Sequence, residues 1–272
     1  MLLTHVAELE TRSKNAPSVS AFLTPGEQAE LCKAVREPRR MFFWGGFSGA
    51  ERRAAVFLPD WIDGDIPAGD HHSPERESYI KSLIFGDDES GYAPLGEIAE
   101  KIVLCRVRGS GHKELHHRDI LGALMNLGIT RKSAGDVCMV SASEAVFAIS
   151  GNLTEFVCEN LTRAGADSVA VSVMDDPASF APERSFEDLS VTVASMRLDC
   201  VVSALTGMSR TRTSEAVAAE CVLVHGVPVK DPAAKLSEND VITVRGYGKY
   251  ALSGTDGRTR KGRIRLNAKK YN

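Results

Sequence analysis

Long apolar runs are the first thing missing from this 272-residue chain: no stretch approaches the roughly 20 apolar residues of a membrane-crossing helix, so no membrane partner is expected. Residues 1–14 have neither the apolar core nor the cleavage pattern of an export signal, which predicts a cytoplasmic protein. Cysteine is sparse. The six, at 32, 105, 138, 158, 200 and 221, show no pair at metal or redox spacing and read as small buried hydrophobes in a reducing compartment. Aromatic residues make up only 6%. No Gly-Lys-Ser/Thr follows the glycine-rich stretch 45–49, which excludes a phosphate-loop nucleotidase. His71 and His72 have no partner at ligand spacing, and no Cys or carboxylate set completes a site around His112, His116 and His117. No metal and no cofactor is expected.

What is present is an uneven charge. From Ser190 onward there are 14 Lys and Arg against 7 Asp and Glu, while the preceding residues hold 19 against 29. A basic C-terminal third on an acidic body points to a polyanion-binding end, and the acidic remainder argues against indiscriminate coating of nucleic acid.

That third is also the most patterned part. Leu198, Val201, Val202 and Leu205 share one helical face, Gly207 ends the helix, and Ser209 caps a second helix with Arg210 and Arg212 in its first turn. Cations at a helix N-terminus oppose its dipole, but together with the free amides they attract phosphate. Two short apolar runs, 222–224 and 227–229, meet at His225-Gly226, where a tight hairpin wants Asn-Gly. A last strand, 241–245, follows the turn Glu238-Asn239-Asp240. Beyond it, 256–265 leads to Lys269-Lys270-Tyr271, and the alternation of Arg263 and Arg265 with Ile264 and Leu266 allows one more strand with a basic face, a disordered basic arm being the alternative.

Residues 1–38 read as helical: Leu2, Leu3, Val6 and Leu9 share a face, and Thr24-Pro25-Gly26-Glu27 opens another helix. Residues 41–44 and 53–58 read as strands joined by a turn in which Gly45 and Gly46 supply positive φ, with Arg52 and Arg53 beside it as possible RNA contacts. Residues 60–95, rich in Asp, Gly, Pro and Glu, read as a loose insertion. From 101 the pattern is βαββαβ: strands 102–108, 137–140, 145–149 and 168–173, and helices 117–127 closed by Gly128 and 153–164 closed by Gly165, with Asn152 and Glu155 as a capping pair. That is the ferredoxin-like order used by RRM domains, but its central strands offer only Phe147 for stacking a base, so this mode of RNA binding is not expected. His117-Arg118-Asp119 has Leu124 where a kinase catalytic loop needs Asn, and Asp119 fits the first turn of a helix better.

Two helices, a hairpin and a closing strand, with Arg197-Leu198-Asp199, Ser209-Arg210 and Asp240-Val241-Ile242-Thr243-Val244, resemble the S4-like RNA-binding domain, with Glu220 where Gly and His225 where Asn is usual. A longer ordered series resembles the YlmH family of bacterial S4-domain RNA-binding proteins. It comprises Gly45-Gly46-Phe47, Ala50-Glu51-Arg52, His117-Arg118-Asp119-Ile120-Leu121-Gly122-Ala123-Leu124, Leu127-Gly128-Ile129 with Arg131, Gly135-Asp136, Val193 through Asp199, Ser209-Arg210 and Arg245-Gly246-Tyr247-Gly248. The resemblance implies a cytoplasmic, non-catalytic factor that docks on large-subunit rRNA and on tRNA or peptidyl-tRNA, in ribosome-associated quality control of stalled nascent chains.

The expected fold class is α+β: an N-terminal helical plus hairpin domain over 1–72, an acidic linker over 73–95, an RRM-like domain over 96–175, a linker over 176–190, and an S4-like RNA-binding domain with basic tail over 191–272. The expected RNA surface is Arg197, Ser209, Arg210, Arg212, His225, Lys230, Arg245, Lys249, Arg258, Arg260, Lys261 and Arg263, with rRNA and tRNA as partners, other quality-control factors as further ones, and neither DNA nor membrane. The alternative is an RNA-modifying enzyme of pseudouridine synthase type. Such enzymes place the S4-like domain first and a large catalytic domain after it, whereas here about 190 residues precede it. A protein-binding scaffold is a third reading.

Overall fold

The computed structural model describes residues 2–35, 40–62, 74–86, 95–182, 186–238 and 240–271. It is mixed α and β and divides into two compact units, residues 1–182 and 183–272. Among the described residues no helix is long and apolar enough to cross a membrane.

The first unit opens with helix α1 (Leu2–Arg12), strand β1 (Ser18–Leu23), helix α2 (Pro25–Ala34) and strands β2 (Met41–Trp44) and β3 (Arg53–Phe57), in sheet order β1-β3-β2. The expectation of a helical 1–38 is therefore corrected. Ser18–Leu23 pairs antiparallel with β3, because Pro17 and the Thr24-Pro25 entry bound a short run containing Val19 and Phe22 that completes a sheet. Helix α2 starts where the sequence predicts, and the structure adds a reciprocal capping box: Thr24 N donates to Glu27 Oε2 at 2.7 Å, and Glu27 N to the Thr24 hydroxyl at 3.3 Å. Of the apolar face assigned to α1, Leu9 is buried, and the side chains of Leu2, Leu3 and Val6 lie outside the description.

Two further corrections concern the glycine turn. Gly46 has φ +94°, but the second left-handed residue is Gly49, not Gly45. Gly45 is there for space, since a Cβ on it would stand 2.5 Å from Ala50 Cβ. The neighbouring arginines, read as RNA contacts, are instead engaged within the unit. Arg53 is 7% exposed, donates to Gln28 Oε1 from Nε and Nη2, and lies over the Phe43 ring. Arg52 Nη2 donates to the carbonyls of Phe22 and Arg131, while Asp136 accepts from the Glu51 and Arg52 amides. These are the bonds that tie the turn to the rest of the unit.

The stretch read as a loose acidic insertion contains helix α3 (Pro74–Phe85), whose Ile80 and Ile84 are buried in a core with Trp44, Leu95 and Ile98. Charge at the other positions masked the Ile80-Leu83-Ile84 spacing. Residues 63–73, with His71 and His72, and 87–94 lie outside the description.

Helix α4 (Glu97–Lys101) leads into β4 (Ile102–Gly109), followed by α5 (His117–Asn126), β5 (Ala134–Ser141), β6 (Glu144–Ser150), α6 (Thr154–Asn160), β7 (Arg163–Ala164) and β8 (Asp167–Val173), in sheet order β5-β6-β4-β8-β7. Asp119 sits in the first turn of α5 and accepts from His116 N at 3.0 Å; Gly128 has φ +83°. The second helix departs from expectation. It starts at Thr154 with no side-chain cap, so Asn152 and Glu155 are not a capping pair, and it stops at Asn160. Residues 163–164 form an edge strand, and Gly165, at φ +57°, turns it into β8.

Alternation along β4 serves two cores. Cys105 and Val107 join Phe147, Ile120, Leu124 and Val157 on the helix side, while Ile102 and Leu104 join Phe22, Trp44 and Phe47 on the other. Phe147 thus points into the helix-side core. Of the cysteines, Cys105 and Cys200 are buried and the other four only partly so, short of the full burial expected; all six are thiols. Burial and the neighbouring Cys158 push the Cys105 thiol up to about 12, which makes it inert packing.

The second unit comprises β9 (Phe186–Val193), α7 (Leu198–Thr206), α8 (Arg210–Ala218), β10 (Val222–Val224), β11 (Val227–Pro228), β12 (Val241–Val244), β13 (Gly248–Arg258) and β14 (Ile264–Tyr271), in sheet order β11-β10-β12-β13-β14-β9. Helices α7 and α8 cover one sheet face through Leu198, Val201, Val202 and Val217 against Tyr250, Leu252, Leu266 and Ala268. The 176–190 linker is corrected, since β9 begins at Phe186 and pairs with β14 over eight positions. Of the two readings of the basic tail, the added strand is the one found: Ile264–Tyr271 forms β14 and pairs with β13 in a hairpin. Its ladder absorbs Gly254 and Gly257 as irregularities.

Gly46→Ala tests the packing of the glycine turn against β4 and β6. A Cβ there meets Leu104 Cδ2 at 2.6 Å on a left-handed backbone, so the expected cost is about 2–4 kcal/mol in urea unfolding with an unchanged slope.

Candidate nucleic-acid interface

The second unit builds its cationic surface from capped helix starts and tight turns. Gly207, at φ +74°, ends α7, and Ser209 begins α8 by accepting from Arg212 N at 3.3 Å. Ser209 is therefore occupied as a cap. Its contribution is to aim the first turn, where Arg210 and Arg212 are exposed about 200° apart around the helix. Arg210 Nη2 lies 2.9 Å from Cys200 Sγ, and Arg210 shares a 340 Å³ pocket with Arg263, Thr192, Cys200 and Ser203. Thus residues 53 positions apart bring two guanidinium groups to one polar pocket suited to an anion.

The other predicted residues are distributed around this pocket or away from it. Arg197 caps α7 by position, with Nε and Nη2 donating to Asp199 Oδ1 and Oδ2 at 3.1 and 3.2 Å. Burial alone would raise the Asp199 carboxyl, but the Arg197 fork and donors at Cys200 hold it below the ordinary aspartate range. Arg197 therefore presents a half-neutralised cation. Lys235, not selected from sequence, bridges to Arg197 by backbone pairing and adds an exposed ammonium beside it. Its signal was weak: a lone lysine in a coil.

His225 and Gly226, at φ +50° and +76°, make the two-residue hairpin that the sequence wanted from Asn-Gly. His225 Nε2 is 2.9 Å from Asp240 Oδ1, so the ring is committed to the next turn. Glu220 holds the left-handed position before the hairpin, at φ +55°, and its carboxylate pairs with Lys230 at 2.9 Å. The Lys230 ammonium, followed at longer range by Arg245, keeps the Glu220 carboxyl below its ordinary range. Glutamate thus quenches part of the hairpin's charge.

Lys249 does not share the helix side. Its neighbour Tyr250 packs against the helices, so Lys249 stands on the opposite sheet face, with Nζ 4.7 Å over the Tyr271 ring in a row with Phe186. A single docking surface containing all the predicted residues is therefore corrected: strand alternation sends Lys249 away from Arg210. Arg258 donates to Gly262 O at 3.0 Å and closes the hairpin turn on which Arg260 and Lys261 are exposed. Among the described residues no group of three His, Cys, Asp or Glu side chains is placed to hold a metal.

Residues 101–177 match the family model described as "Putative RNA-binding domain in YlmH". The chain is 29% identical over 246 residues to ribosome-associated protein quality control protein P2 of Bacillus subtilis (strain 168), covering 90% of this chain and 84% of that protein. Among solved structures, the cell division protein ylmH from Streptococcus pneumoniae aligns with a TM-score of 0.41 at 20% identity, over 66% of this chain and 93% of that one. The resemblance to the YlmH family drawn from the ordered motifs is borne out. The matched module contains none of the residues selected from sequence, all of which fall between 197 and 263.

Two substitutions test the electrostatics described above. Glu220→Gly relieves a left-handed glutamate and unmasks Lys230, so the variant should melt a few degrees higher and leave a heparin column at higher salt than wild type. For Asp199 the folded carboxyl is depressed, so its stabilisation is present above the unfolded value near 4 and is lost as pH falls through the lower folded value. The melting-temperature gap between wild type and Asp199→Asn should accordingly be widest near neutral pH and close in acid; a gap that widens in acid would refute the Arg197 pairing.

Proposed function

We propose that this chain, similar in sequence to the YlmH family, is a cytoplasmic, non-catalytic RNA-binding factor that acts on the ribosome. In this reading it docks on the large subunit through rRNA and peptidyl-tRNA during quality control of stalled nascent chains. The observation that carries the reading is the meeting of Arg210 and Arg263 at one polar pocket beside a capped helix start, on the basic third of the chain. Paired cations next to free helix amides suit phosphate, and folded RNA presents phosphates in a fixed shape. The names of the Bacillus subtilis relative and of the matched family model support the ribosomal and RNA-binding parts.

In this proposal the central βαββαβ module is RRM-like, and the second unit is an S4-like module to which β9 and the β13–β14 hairpin add strands. The RNA-modifying alternative would need Asp199 as its essential acid. Here that carboxylate is buried at the start of α7 and engaged by Arg197 and by Cys200 N, an arrangement suited to building a helix start.

Sedimentation with purified large subunits bearing peptidyl-tRNA, across a salt series, tests the reading. Wild type should travel with the subunits, and the Arg210→Ala, Arg212→Ala double variant should bind more weakly, with a log K against log salt slope shallower by about one to two. Wild type remaining at the top of the gradient at every salt would end the proposal.

A further inference from the structure

The first unit carries a groove that the reading above leaves unused. It has a volume of 470 Å³ and runs between α5 and the segment that links α6 to β7. One wall is Arg118, Gly122 and Asn126, spaced by four and so stacked along a single stripe of α5; the other is Asn160, Thr162 and Arg163. Both arginines are exposed. The acid within the groove, Asp119, is already engaged. It accepts from His116 N at 3.0 Å, and its carboxylate abuts Gly165, where a Cβ would lie 2.9 Å from Asp119 Cγ.

Gly122 is the telling residue. Glycine inside a helix is unfavourable relative to alanine, and a packing neighbour usually accounts for it. Here no neighbour does, because a Cβ built on Gly122 meets nothing within 4 Å. Across the groove the contrast is plain, since Gly165 is required by both its left-handed backbone and Asp119. What the bare helix surface at Gly122 provides is depth, open to something outside the chain.

We propose that this groove is a second RNA site, in which a strand's sugar–phosphate backbone lies along the Arg118–Gly122–Asn126 stripe between Arg118 and Arg163. Two points favour RNA as the occupant. The groove lies wholly within residues 101–177, the module matched by the RNA-binding family model. The sheet face on which such a module would stack bases is covered here: Leu104, Val146 and Ala148 are buried against Phe22, Trp44 and Phe47. A strand bound to this module must therefore use another surface, and the groove offers opposed guanidinium groups for phosphates and amides for ribose hydroxyls. Asn160 spends Nδ2 on Phe156 O at 2.8 Å, which leaves its Oδ1 as an acceptor suited to a 2′-hydroxyl.

The proposal rests on the RNA-binding reading, and its test separates the two. Full-length wild type, Arg118→Gln with Arg163→Gln, Gly122→Trp, and the Arg210→Ala, Arg212→Ala variant are compared by sedimentation with peptidyl-tRNA-bearing large subunits over a salt series. The double glutamine variant should lose roughly tenfold in affinity at about 0.1 M salt and show a slope shallower by up to about two. Gly122→Trp should lose affinity by a similar factor while keeping the wild-type slope and melting within a few degrees of wild type. If both groove variants bind within twofold of wild type while the Arg210/Arg212 variant releases, the groove is not an RNA site and the RNA reading stands without it. An affinity loss in the glutamine variant with no change of slope would assign the groove to a protein and overturn the RNA assignment. Wild type that binds at no salt would overturn both.

Discussion

Burial on both faces of Ile102–Gly109 is the constraint from which most of the first unit follows. One strand alternates Leu104 and Val107 into separate cores, so a residue slip in its register would exchange the two sets of partners. The N-terminal sheet, the Gly45–Gly49 turn and the helix at 74–85 all pack on the Leu104 side, and Arg52 and Asp136 bond the same junction through backbone groups. The sheet face opposite the helices is thereby covered, while Arg118, Gly122 and Arg163 lie on the helix side.

The second unit handles charge in a different way. Of its many cations, some are matched by acids that build the fold, Asp199 with Arg197 and Glu220 with Lys230. The exposed Glu220–Lys230 pair adds little stability, typically under about 1 kcal/mol, but such pairs decide which cations remain for an external anion. Arg210, Arg212, Arg260 and Lys261 are not in such pairs among the ion pairs described. The surface is consequently more selective than its composition suggests, and the Arg210–Arg263 pocket gains weight relative to the hairpin.

Legibility from sequence followed the range of the interaction. The Thr24-Pro25 helix entry, the Ser209 cap, the ends at Gly128 and Gly207, and the His225-Gly226 turn were all readable, because each is settled within about four residues of backbone. The edge strand 18–23 and the strands 186–193 and 248–258 were not readable, since each depends on a distant ladder partner, and glycines in the last look like punctuation when read alone. Gly122 stood only as one letter of a motif for the same reason: its open surroundings exist only in the folded chain.

By itself, then, the sequence determined several helix starts and tight turns, the basic character of the C-terminal third and the resemblance to YlmH proteins, because these are properties of neighbours along the chain or of motif order. Only the tertiary structure decided that Arg52 and Arg53 bond within the first unit, that Lys249 faces away from Arg210, that Arg263 meets it, and that the central sheet is covered. Those outcomes depend on strand register and on which apolar faces find each other, and long-range pairing of that kind leaves no local mark.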